Sequence, residues 1–124
     1  MRNRDFFGGD LAGVREKLGY LRGLGVDTLY FCPIFEAPEN HRYGTGDYEK
    51  IDPMLGTEAD FRALCTDAHA LGMRVVLDGV FNHCGSFNKW IDRERIYENQ
   101  PGYEKGAYIA ADSPYHGYFK FHDE

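Results

Sequence analysis

Apolar positions along the chain switch between two periods, and the switches mark its elements. After "FFGGD", Leu11, Val14, Leu18 and Leu21 recur three or four residues apart and Gly25 follows. That spacing predicts a helix over about residues 10–24, capped by Asp10. The run "DTLYFCP" then carries β-prone and apolar residues without polar alternation and stops at Pro33, which predicts a strand covered on both faces, as parallel strands are. Helical spacing returns at Phe61, Leu64, Cys65 and Ala68, opened by Thr57 with Asp60 three residues on, and closed by Gly72. "MRVVLDGV" repeats the buried-strand pattern. Helix, strand, helix, strand in that order describes α/β units with a parallel sheet. Two strands alone do not make a stable sheet.

Two segments show neither period. Residues 34–56, "IFEAPENHRYGTGDYEKIDPMLG", exceed the roughly 12–15 residues beyond which a structureless loop is functional or disordered, and their aromatic and histidine content argues against a plain linker. After Gly85 the chain turns aromatic and polar, with a short helix expected over 88–97 and irregular structure beyond. The Tyr and Phe residues of 97–121 read as packing of a small inserted unit, with ligand platforms as the alternative. There is no internal repeat of fixed period and no low-complexity tract.

Composition narrows the class. At 124 residues, 43% hydrophobic and 27% charged, the chain has the make-up of one folded domain and not of a disordered segment. The net charge is −6, with the 14 basic residues scattered among acidic ones, so the electrostatic footprint of a nucleic-acid binder is missing. No stretch approaches the roughly 20 apolar residues of a membrane span, and "MRNRD" leads into no signal-peptide apolar region. Cys32, Cys65 and Cys84 are odd in number and widely spaced, which predicts free thiols in a reducing compartment and a cytoplasmic protein.

Loops leaving the C-terminal ends of parallel strands share one face, where barrels and open sheets carry their ligand sites. The loop after the first strand brings His41, Tyr43, Asp47 and Tyr48 to that face; the second strand ends at Asp78, with Asn82 and His83 just beyond. Aromatic faces with carboxylate, amide and imidazole groups suit a neutral polyhydroxylated ligand, with Tyr43 as stacking platform. The bland alternatives are that Asp78 caps a turn, that His83 is an ordinary loop histidine, and that Tyr48 packs the loop. Cys65 and His69, four apart on the second helix, read as packing and as a solvated side chain, because no further ligands complete a metal site. "FFGGD" lacks the preceding strand of a phosphate loop and reads as a helix cap.

The segment "FFGGDLAGVREKLGYLRGLGVDTLYFCPIFEAPENHRYGTGDYEKIDPMLGTEADFRALCTDAHALGMRVVLDGVFNH", and more loosely "SPYHGYFKF", resembles the α-amylase superfamily of glycoside hydrolases, in particular its cyclomaltodextrinase, neopullulanase and maltogenic-amylase branch. The resemblance implies a partial (β/α)8 TIM barrel: about barrel strands 2 and 3 with their preceding helices in residues 1–84, and the start of the domain inserted after strand 3 in residues 85–124. "DGVFNH" matches the family's first signature region, which makes Asp78 and His83 substrate-contacting and Asn82 a candidate calcium ligand, calcium being the only cofactor implied and not a required one. "HRYG" matches the loop pattern H-x-Y-D, which adds His41 and the stacking Tyr43 but has Gly44 where the family carries Asp.

The resemblance further implies retaining hydrolysis of α-1,4 and also α-1,6 glucosidic bonds in maltooligosaccharides, cyclodextrins or pullulan, with the nucleophile and general acid outside this chain. The implied partner is an α-glucan oligosaccharide, with self-association through exposed sheet edges as a further expectation. Two rivals stand beside this reading. One is a finished, non-catalytic carbohydrate-binding or interaction module built from a barrel piece. The other is a complete hydrolase pairing Asp78 with Asp47 or Asp52.

Overall fold

The computed structural model describes residues 5–122; residues 1–4 and 123–124 of the two expected units lie outside it. Asp10 opens helix α1 (Leu11–Gly23), its carboxylate accepting from the Gly13 backbone N–H at 2.7 Å. This is the cap expected of "FFGGD". Strand β1 (Thr28–Phe31) follows. Helix α2 (Glu58–Ala70) is entered through a reciprocal capping box: the Thr57 hydroxyl accepts from the Asp60 backbone N–H, and the Asp60 carboxylate accepts from that of Thr57. The last strand of this unit, Arg74–Leu77, pairs in parallel with β1, Thr28 facing Arg74 and Phe31 facing Leu77. Both helices and both parallel strands thus form where the hydrophobic spacing puts them.

The long loop is not structureless. It holds an antiparallel pair, β2 (Phe35–Glu36) and β3 (Asp47–Ile51), with an irregular register at Phe35 and Glu36; the parallel partner of β1 is therefore β4 (Arg74–Leu77). "DYEKI" gives no period-two alternation, since Tyr48 and Ile51 stand three apart with Glu49 and Lys50 between them, and its partner strand is only two residues long, so neither strand carries a local signal. The short helix expected over 88–97 does not form, and those residues make successive turns. The reason is local: the buried carboxylate of Asp92 accepts from the Ile96 and Tyr97 backbone N–H groups, and Asp92 itself sits at φ 46, outside helical space.

Leu18 of α1 and Ala68 of α2 meet Met73, with Leu29 of β1 and Val75 of β4 packed against them. Arg15 of α1 pairs with Asp67 of α2 across the helix contact. Residues of opposite parity on the strands face the other way, and there the expectation of cover on both faces fails: Tyr30 is 62% and Val76 44% exposed. Two strands with both helices on one side have nothing among the described residues to cover the second face. No helix of the described residues is long and apolar enough to cross a membrane, and all three cysteines are free.

Candidate functional site

The bare face of the parallel pair leads upward to Asp78, immediately after β4. Its backbone N–H donates to Phe31 O at 2.9 Å, extending the sheet by one rung, and its Oδ2 accepts from two phenols, Tyr30 at 2.8 Å and Tyr43 at 3.0 Å. The first comes from β1 and the second from the long loop, so one carboxylate oxygen joins three segments. Both phenol protons are held by the carboxylate hydrogen bond, which together with burial and the nearby negative charge raises both tyrosines; Tyr43 is pushed up to about 12.

That shift has a signed consequence. The folded-state value lies above the ordinary 10.0, so the Tyr43–Asp78 bond contributes fully below pH 10 and is lost as pH rises towards 12. Ultraviolet titration of tyrosinate should show a late step that is absent from Tyr43→Phe. A variant that instead loses a step near pH 10 would contradict the assignment.

The loop that aims Tyr43 is held from below. Arg42 is buried, sits at φ 58, lies 3.0 Å from the buried Asp52 carboxylate, and donates to Asn40 O. Asp52 in turn accepts from the Met54 N–H and donates its own N–H to Ile34 O. With residue 42 turned inward, its neighbours His41 and Tyr43 turn outward and lie in ring contact at 5.9 Å. The Tyr43 N–H donates to His41 Nδ1 at 3.1 Å, which leaves the ring proton of neutral His41 on Nε2, facing outward as a donor.

Asn82 and His83 follow on an exposed turn, with Asn82 Oδ1 3.0 Å from His83 Nδ1. Nδ1 therefore donates, and Nε2 of the neutral ring is an acceptor. Both residues border a cleft of about 180 Å3 shared with Tyr48, Phe81, Trp90 and Tyr118. The five residues singled out from sequence thus fall into two groups, Asp78 with Tyr43 and His41, and His83 with Asn82. Among the described residues no hydrogen bond links His83 to Asp78.

Calcium does not fit Asn82 as its surroundings stand. The amide oxygen is engaged by His83, the described residues hold no group of three acidic, His or Cys side chains able to take a metal, and calcium asks for six to eight oxygens. Asp47 and Asp52, the carboxylates of the self-sufficient-hydrolase rival, are both committed to ion pairs, Asp47 with Lys89 at 2.9 Å and Asp52 with Arg42. At Gly44 a Cβ would lie 2.7 Å from a Glu39 carboxylate oxygen, the movable end of a flexible side chain, so the local packing does not by itself require glycine where the family carries Asp.

Sequence reasoning missed Tyr30, because a tyrosine in a strand reads as β propensity, and missed the bond between the two loops. Thr45 O accepts from the Gly85 N–H at 3.0 Å and the buried Asn88 amide at 3.1 Å, and Gly46 O accepts from the Lys89 N–H. Gly46 is packed so closely that a Cβ would meet the Phe87 ring at 2.6 Å. Lys89 adds its ammonium to Asp47 and Glu49; burial draws it down, but these two carboxylates outweigh burial and raise it. The segments that carry Tyr43 and His83 are seamed together.

Known proteins resemble this chain over most of its length. Residues 2–124 match the family model described as alpha amylase, catalytic domain. The chain is 51% identical over 102 residues to an amylopullulanase of Thermoanaerobacterium saccharolyticum, covering 82% of this chain and 8% of that protein. It is 54% identical over 89 residues to an intracellular maltogenic amylase of Bacillus subtilis, covering 71% of this chain and 15% of that protein. The solved structure of a cyclic alpha-maltosyl-(1→6)-maltose hydrolase from Arthrobacter globiformis superposes with a TM-score of 0.71 at 44% identity, over 82% of this chain and 23% of that one. The chain thus spans less than a quarter of each of these relatives.

Proposed function

The chain belongs to the alpha-amylase catalytic-domain family, and from that premise we propose that it forms part of the (β/α)8 barrel of a retaining α-glucan hydrolase acting on α-1,4 and α-1,6 glucosidic bonds. In this reading β1 and β4 are adjacent barrel strands, their bare face with Tyr30 and Val76 is turned to the barrel interior, and residues 85–122 begin the insertion after the second of them. The nucleophile and general acid come from other strands of the same barrel. Maltooligosaccharides, cyclodextrins and pullulan are the substrates in view, and the cytoplasm is the compartment, as the name of the Bacillus relative suggests for that protein.

The observation that carries the reading is Asp78: a carboxylate at the C-terminal end of a parallel strand, oriented by two phenols through one oxygen. Its role is to accept hydroxyl protons of the sugar at the scissile bond. Tyr43 offers a ring face to the same sugar, and His41 as donor and His83 as acceptor take hydroxyls on either side. A finished binding module fits less well, since an independent domain would cover Tyr30 and Val76.

The test is hydrolysis of maltotriose by the protein that carries this chain, followed by nuclear magnetic resonance of the newly formed reducing end. Release of the α-anomer is expected. Binding without release of sugar would favour the module, and initial formation of the β-anomer would exclude retention.

A further inference from the structure

We propose, building on that reading, that Tyr48 is a positioning residue which, clamped on Trp90, sets the turn that presents Asn82 and His83. The Tyr48 hydroxyl lies 2.6 Å from Val80 O and 2.7 Å from His83 O, sharing one proton between the two carbonyls that bound the turn. Its ring is stacked on Trp90, with centroids 5.3 Å apart and planes 22° from parallel, and Phe35 and Phe81 stand at 6.3 and 6.1 Å.

Trp90 is itself held through its backbone. Its N–H donates to the buried Asn88 Oδ1 at 2.9 Å and its carbonyl accepts from the Ala107 N–H at 2.7 Å. A path of short contacts therefore runs from the inserted segment, through Trp90 and the Tyr48 ring, to the carbonyls on either side of Asn82. Burial raises the Tyr48 hydroxyl above its ordinary range, so the proton that makes these bonds stays in place. The Tyr48 ring borders the same cleft as His83, but its hydroxyl is committed to the two backbone carbonyls of the turn, and through them it governs where His83 Nε2 points. Misplacing a contacting group by about 1 Å costs up to roughly a hundredfold in rate, and losing a shared hydroxyl while keeping the stack should cost less.

The test uses the full protein. Tyr48→Phe keeps the ring and deletes only the oxygen; kcat on maltotriose is expected to fall about tenfold, with KM within about twofold, at temperatures well below unfolding. Leu18→Ala, in the core between the two helices and away from this turn, is expected to lower the unfolding temperature while leaving kcat unchanged, which separates a loss of stability from a loss of positioning. Trp90→Leu, which removes the clamp and leaves the hydroxyl, should reproduce the kcat loss in weaker form, and decides the matter if Tyr48→Phe does not fold. Full kcat in Tyr48→Phe, or in Trp90→Leu where that variant decides, overturns the proposal, provided Asp78→Ala is inactive in the same assay. Full activity of Asp78→Ala would instead overturn the functional reading on which this one rests.

Discussion

Asp78→Ala, in the protein that carries this chain, is expected to lower kcat/KM on maltotriose by roughly two to three orders of magnitude. The carboxylate can accept from two sugar hydroxyls, and hydrogen bonds to a charged group are worth about 1.5–3 kcal/mol each. Two of them amount to about 3–6 kcal/mol, and each factor of ten corresponds to about 1.4 kcal/mol, so the lower half of that range already accounts for the loss. The deletion also strands the phenols of Tyr30 and Tyr43, which now meet on Asp78 Oδ2, and frees the Tyr43 ring from its orientation. Asp78→Asn keeps the shape and one acceptor and should retain more activity than the alanine variant. Turnover near the wild-type value in Asp78→Ala would remove the residue from the site.

The largest effect on stability is expected at Asp52. Arg42 and Asp52 have side chains 9% and 5% exposed and lie 3.0 Å apart. Removing one partner leaves a charge without compensation in a place water does not reach, which costs about 3–5 kcal/mol, a large share of the roughly 5–15 kcal/mol that holds a domain together. Asp52→Ala should therefore shift the urea midpoint strongly downward. It should also weaken substrate binding, since His41 and Tyr43 flank Arg42 on the loop this pair anchors. Replacing both partners, Arg42→Met with Asp52→Leu, should recover part of the loss because no charge is then left buried, although the Asp52 bond to the Met54 N–H is gone. A single variant with an unchanged midpoint would show that the pair holds nothing.

What could be read from sequence follows the range of the interactions. The helices were legible because their signals are local: Asp10 and Thr57 cap them, and leucines at helical spacing fill one face. The parallel pair was legible from two uninterrupted apolar runs, but the bare face was not, since Tyr30 and Val76 look like any buried-strand residues until the missing neighbours are counted. Asp78, His83, Tyr43 and His41 were named through the resemblance together with the rule that strand ends carry sites. Their mutual arrangement depended on contacts across 35 to 48 residues of chain, which no local pattern encodes. The turn structure of 88–97 was hidden for the opposite reason: Asn88 and Asp92 bind nearby backbone so tightly that helical spacing around them carries no information.

The seam between the two site-bearing loops bears on how such a face can be inherited or rebuilt. Thr45, Gly46 and Asp47 on one side are bonded to Gly85, Asn88 and Lys89 on the other, so an insertion in either loop would tear bonds out of its neighbour. A change in the length or path of one loop therefore calls for a matching change in the other, and anyone grafting this face onto another barrel has to transplant the pair as a single cassette.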